Sequence, residues 1–394
     1  MDDVDKDNNE KTYPGKVGNL GKPILLNGLA IDGVAANSAR ASERVQIMTR
    51  LTLSSDSLGF HKIVENLISV IQHHAQLSGL HVSLEGANTI LLVIKPDNSA
   101  ELWVDTAAVS LLCIVKRELT AGSVVFESDI ADITGMSFPC VSIESADRVI
   151  CIFRESWRFG MFFDFNPDRN LLIDDVTKSL GTLFRNLKYR HLYDVVADAK
   201  LFNQIVSAGW FPFVEIIGSE FKDLVNSCEA GFELNDVETT LLAKFDEERL
   251  DRMLSRWVAK PHFSNKKDLF TSAINAYKKQ DPIPVIKIIL TEIEGVLMAA
   301  YKTQHGKGAS IKDLLAFAVD SATKKAGLPS TLFFPEEFAK YLEKNTFANF
   351  DPKSSNGTAG SRHAVGHGAA VSETYTLVRA LQAILTLDQI AFYT

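Results

Sequence analysis

The stretch Gly357-Thr358-Ala359-Gly360-Ser361-Arg362-His363-Ala364-Val365-Gly366-His367-Gly368 holds the residues of this chain best suited to chemistry. It sets an arginine and a histidine five positions apart, among glycines. Cutting RNA without a metal needs these two residue types. The 2′-hydroxyl attacks the neighbouring phosphorus, and a group that titrates near neutrality must move the proton, which suits imidazole. A permanent planar cation must hold the phosphate and the charge growing on it, which suits guanidinium. On a helix, residues five apart diverge by more than about a hundred degrees. Arg362 and His367 therefore share one cleft only if the turn around Gly366 and Gly368 is irregular, or if a second subunit completes the site. Standing alone, Arg-x-x-x-x-His is a weak pattern, and its plain alternative is a surface arginine beside a packed histidine.

The elements that must position these residues are read from periodicity. After the motif, Tyr375 to Phe392 carries Leu377, Ala380, Leu381, Ile384, Leu385, Leu387 and Ile390 on a broad apolar face, which predicts a buried helix. Upstream, helical spacing predicts helices over 173–193, 211–229, 236–257, 267–278, 286–302, 311–325 and 335–344. Gly306-Lys307-Gly308 reads as a flexible connection, and Trp210, Trp257 and Phe263 as fillers of a helical core. The front of the chain differs. Residues 60–75 predict an amphipathic helix, with His73-His74 on its polar side. Strand patterns follow at 80–84, 89–94, 101–104, 109–115, 140–143, 148–153 and 159–165, with Pro96-Asp97-Asn98-Ser99 as a hairpin turn.

The resulting fold class is α+β. A flexible segment spans 1–58, with room for a short element over Val45–Leu53, followed by a mixed domain with an antiparallel sheet 59–168, a helical middle region 169–265, and a helical bundle 266–394. Apolar residues make up 46% of the 394, enough for sizeable cores. No uninterrupted apolar run is long enough to span a bilayer, and the acidic start Met1-Asp2-Asp3 lacks the pattern of a signal peptide. Cys113, Cys140, Cys151 and Cys228 form no Cys-x-x-Cys pair and read as buried thiols of a cytoplasmic protein. The net charge of −8 argues against general coating of nucleic acid. From Lys266 onward the balance is positive, with 15 basic and 12 acidic residues, so this part tolerates a phosphate backbone. No phosphate-binding loop, zinc spacing or nucleophile elbow appears, and no cofactor or metal is expected.

Arg362-His363-Ala364-Val365-Gly366-His367-Gly368, followed by an apolar helix ending in Leu385-Thr386-Leu387-Asp388, resembles the HEPN superfamily. Ribonuclease members of that family carry Arg, four to six residues, then His, with a polar residue after the Arg; here that residue is His363. Ile293-Glu294-Gly295 is similar to a segment on the equivalent helix of some HEPN messenger-RNA-cleaving toxins, where the Glu lies near the catalytic pair. The likeness covers roughly residues 283–394. It departs at Thr291, where such toxins have a basic residue, and at Ala369, where another branch has Tyr. The resemblance implies a helical bundle that dimerises with paired motifs facing one cleft, and an RNA substrate. Arg362 would stabilise the scissile phosphate and His367 would act as general acid/base. His363 would support them, and Glu294 would orient His367 or pair with Arg362. A toxin or antiviral-defence role is implied, with the front domain meeting a trigger or regulatory protein. The rival expectation is an inactive HEPN-like scaffold that only oligomerises, favoured by the net charge and by Thr291.

Overall fold

The apolar run of strand β5 (Thr89–Ile94) is continuous because both faces of its sheet are covered. Ile90, Leu92 and Ile94 point into one core and Leu91 and Val93 into another. The computed structural model describes residues 21–394 other than 36, 329, 349–357 and 359. Its chain divides into two compact units. The first takes its described residues from Met1–Leu112, Glu118–Val125 and Gly135–Lys188; the second comprises Cys113–Arg117, Phe126–Thr134 and Tyr189–Thr394.

In the first unit, six strands form one sheet in the order β1 (Ile24–Leu26), β6 (Ala100–Val104), β5, β9 (Arg148–Glu155), β10 (Arg158–Asp164), β4 (Arg50–Ser54), every neighbour antiparallel. Leu92 faces Ile150 across one ladder and Met161 faces Ile152 across the next. Helix α1 (Phe60–Leu77) lays Phe60, Ile63, Leu67, Ile71 and Ala75 on one face of the sheet. Helix α2 (Ile173–Lys188) lays Val176, Leu180, Leu183 and Leu187 on the other. Asp174 and Asp175 sit in the first turn of α2, where negative charge suits the helix dipole.

Two of the sheet strands, β1 and β4, come from the stretch before residue 58, which shows no sustained period; residues 1–20 of it lie outside the described residues. The buried Arg148 ties this stretch down, donating to the Ile31 carbonyl at 2.8 Å and to Asp32 at 2.9 Å. Short strands β2 (Val34–Ala35) and β3 (Ile47–Met48) pair with each other. Strands β7 (Ser110–Val115) and β8 (Ile130–Ser137) form a separate two-stranded sheet. The alternation at 80–84 and the run at 140–143 do not become strands. His73 is exposed and His74 half-buried at the end of α1.

The second unit is helical: α3 (Arg190–Ala197), α4 (Ala199–Ser207), α5 (Ser219–Glu229), α6 (Asn235–Ala243), α7 (Glu247–Val258), α8 (Pro261–Ser264), α9 (Lys267–Lys278), α10 (Pro282–His305), α11 (Ile311–Ala326), α12 (Pro335–Lys344), α13 (Arg362–Gly366) and α14 (Leu377–Tyr393). The chain is therefore α+β, an antiparallel sheet region followed by helices. Three long periodic stretches are each divided. The helix expected over 173–193 stops at Lys188, and a new one starts at Arg190. In the stretch 211–229 a helix starts only at Ser219, because Phe211-Pro212-Phe213 is not helical and leads into a single 3₁₀ turn. The stretch 236–257 breaks at Lys244–Asp246, where the Asp246 carboxylate caps α7 by accepting from the Arg249 amide at 2.8 Å.

Helix α14 is the axis of this unit. Every residue from Ala380 to Tyr393 is buried, against α10, α11, α6 and α7. Its polar residues all find partners. Gln389 accepts from the Val214 amide at 2.8 Å, and Tyr393 donates to the Phe333 carbonyl at 2.5 Å. Asp388 accepts from the Trp257 indole at 2.7 Å. Phe211, Phe213, Phe338, Tyr341 and Tyr393 pack ring on ring beside it.

Candidate functional site

The motif residues sit on α13, a helix of five residues held against α10. Ala364 and Val365 are buried and anchor it. At its start, Ser361 accepts from the Ala364 amide at 3.4 Å and donates to the Ala348 carbonyl at 3.1 Å, while the Arg362 amide donates to Thr346. Its end is equally defined. The Ala369 amide bonds the Ala364 carbonyl at 2.8 Å, the Gly368 amide bonds Val365 at 3.1 Å, and Gly368 has φ +68°. This is a Schellman stop, which needs a residue able to adopt left-handed backbone and explains the glycine at 368. Gly357 and Ala359 of the motif lie outside the described residues.

Helix α10 supplies the facing side. It buries Ile286, Ile289, Leu290, Ile293, Val296 and Leu297, so Glu294 stands at the edge of the apolar stripe. Arg362 Nη1 lies 2.6 Å from Glu294 Oε2, with the two side chains 29% and 24% exposed. Glu292, two residues earlier, is paired with Lys266 instead. The two acids of α10 thus have separate cations.

The structure therefore brings Arg362 and Glu294 together. It does not bring Arg362 and His367 to one face. Because α13 is regular up to Gly366, five positions carry His367 about 140° around the axis and roughly 7.5 Å along it. His367 is exposed, and among the described residues its ring makes no hydrogen bond or ion pair. Glu294 meets Arg362 and not His367. His363 is half-buried and, four positions before His367, shares its side of the helix.

A second polar constellation in this unit carries no local sequence motif. Arg249, Arg252 and Arg256 recur along α7 at spacings of three and four, so they line one face. Glu215, 5% exposed, is contacted by Arg249 at 3.1 Å, Arg252 at 3.3 Å and Arg256 at 3.1 Å. Arg249 also holds Glu220 at 2.7 Å, and Arg256 holds Asp388 at 2.7 Å and donates to the Lys116 carbonyl. Burial draws the Glu215 carboxyl up, but Arg256, Lys116, Arg249 and Arg252 together hold it below its ordinary value. Burial pushes the Asp388 carboxyl up, with Arg256 opposing. The signal available in the sequence was the acid at 388 in an otherwise apolar helix, which demands a partner.

No family model matches this chain, and neither a curated protein nor a solved structure matches it. Among the described residues, no helix is long and apolar enough to cross a membrane.

Proposed function

We propose that the chain is a metal-independent endoribonuclease of the HEPN type, acting as a toxin or antiviral-defence effector. The observation that carries this reading is the contact between Arg362 and Glu294, which joins the two segments whose residues resemble that family. Glu294 holds the guanidinium near the start of α13 as an ion pair and leaves its N–H groups for a phosphate. In the reaction, the 2′-oxygen bonds to phosphorus as the bond to the 5′-oxygen breaks. His367 takes the 2′-hydroxyl proton or gives one to the departing 5′-oxygen, and His363 supports it. Because His367 leaves α13 on a different side from Arg362, the working site draws its arginine and histidine from two copies in a homodimer or higher assembly. The front unit is then free to meet a trigger or regulatory protein.

The test is cleavage of a labelled RNA in EDTA by the full chain, with Arg362→Ala and His367→Ala beside it. The expected products end in 2′,3′-cyclic phosphate, both variants are inactive, and an equimolar mixture of the two recovers part of the activity. A second reading, an inactive oligomerisation scaffold, is favoured by the angular separation of Arg362 and His367 within one copy. Equal, negligible cleavage by wild type and both variants, with assembly intact, would establish it instead.

A further inference from the structure

Beside the Glu215 network lies a cleft of about 410 Å³, within the size range of small-ligand sites. Its walls include Lys116, Tyr189, Gly218, Ser219, Arg249 and Arg252. The residue that stands out is Lys116. It is 7% exposed, and among the described residues its Nζ has neither a hydrogen bond nor an ion pair. Glu215 and Glu220 act on it at a distance, against Arg249 and Arg256. An ammonium mostly withdrawn from water, with its tip at the cleft and no direct partner, is held at a cost. Such groups persist where something outside the fold supplies the missing acceptor.

The surroundings specify that acceptor. Helix α5 opens at the cleft with Gly218 as its cap and no side chain capping its first turn. Its first amides and the positive end of its dipole are thus available to an anion. Arg252, its side chain 37% exposed, makes a single 3.3 Å contact to Glu215 and can turn toward the cleft without leaving a carboxylate unmatched, since Glu215 keeps Arg249 and Arg256. Glu127, Glu215 and Glu220 also line the cleft, which disfavours an extended polyanion and suits one compact dianion seated on Lys116.

We propose that this cleft binds a phosphoryl dianion, free or as the head of a small phosphate monoester, between Lys116, Arg252 and the first turn of α5. The volume exceeds what a bare phosphate needs, and Tyr189 and Ile217 give the ester's organic part a wall. The site is separate from the Arg362 motif, and the proposal stands whether or not the chain cuts RNA.

The test is calorimetric titration and thermal shift of the full chain with inorganic phosphate and with ribose 5-phosphate, at constant ionic strength. Binding of either in the millimolar range or tighter, with a dose-dependent rise in Tm, is expected. Tighter binding of ribose 5-phosphate marks an ester as the ligand; equal binding marks the free anion. Lys116→Met should lose affinity by about tenfold or more, the worth of a charge-assisted hydrogen bond. Arg252→Gln should weaken binding in the same assay, and it keeps the test valid should the Lys116 variant fold poorly. Absence of binding to wild type, or undiminished binding in both variants, overturns the proposal.

Discussion

Replacing Arg256 by Met removes the cation shared by two buried acids, and the cost can be worked from the geometry. Arg256 Nη2 lies 2.7 and 2.8 Å from the two oxygens of Asp388 and 3.1 Å from Glu215. The three side chains are 10%, 1% and 2% exposed, so solvent screens little of this. Glu215 retains Arg249 and Arg252 in the variant. Asp388 retains only the Trp257 N–H. Breaking a buried pair from one side typically costs about 3–5 kcal/mol. A second route gives a ceiling. Asp388 escapes by taking a proton, which at pH 7 costs about 1.4 kcal/mol for each of the roughly three pH units separating it from its unfolded value. Both routes give about 4 kcal/mol at pH 7. With Arg256 gone, the folded-state pKa of Asp388 stands far above its unfolded value. The variant's deficit should therefore shrink as pH falls from 7 toward 5, by at most about 1.4 kcal/mol per unit. The assay is urea unfolding of wild type and variant at pH 7, 6 and 5, followed by tryptophan fluorescence, because Trp257 touches Asp388. Adding Asp388→Leu to the variant should recover most of the loss, since an apolar pair replaces a stranded charge. A deficit below about 1 kcal/mol, or one equal at pH 5 and 7, would refute the assignment of Arg256 as the cation that keeps Asp388 ionised.

Gly181→Ala in α2 should destabilise the first unit by about 2 kcal/mol in chemical denaturation. A Cβ there would stand 2.3 Å from the Gly135 backbone, and this overlap outweighs the roughly 1 kcal/mol that alanine adds to a helix. His191, whose ring bonds the Ile217 carbonyl at 3.4 Å, is held below its ordinary pKa mainly by burial. It stays neutral in the fold, so its contribution is present above the unfolded value of about 6.5 and is lost as pH falls below it. His191→Gln should flatten the stability profile between neutral and mildly acidic pH, and an unchanged slope would contradict this. Glu294→Gln frees Arg362 from its counter-charge, and if the endoribonuclease reading holds, cleavage should fall by about tenfold with folding unaffected. Unaltered cleavage would remove Glu294 from the site.

What the sequence made legible were elements whose pattern is dictated by two covered faces or by one long stripe. Ile90–Ile94 and Val149–Phe153 are apolar throughout because α1 and α2 lie on opposite sides of their sheet. Helices α9 to α12 and α14 carry sustained periods and were placed within a few residues. Strand β1 was not legible, since three residues cannot display a period, and its place comes from pairing with β6. The alternation at 80–84 misled because only Leu84 of that stretch is buried, between glycines 79 and 86 in left-handed turns. In the candidate site, the pairing of Glu294 with Arg362 was open to inference, because an acid at the edge of an apolar helix needs a partner. The Glu215 network was not, because its contacts join residues 29 to 140 positions apart along the chain.

That α14 is enclosed on all sides has a consequence for biosynthesis. It is translated after every helix that wraps it, so α6, α7, α10 and α11 emerge from the ribosome with their inward faces bare. Until the last turns of α14 are released, those helices present sticky, half-finished surfaces of the kind chaperones engage. Packing of α6, α7, α10 and α11 into the second unit thus waits on α14.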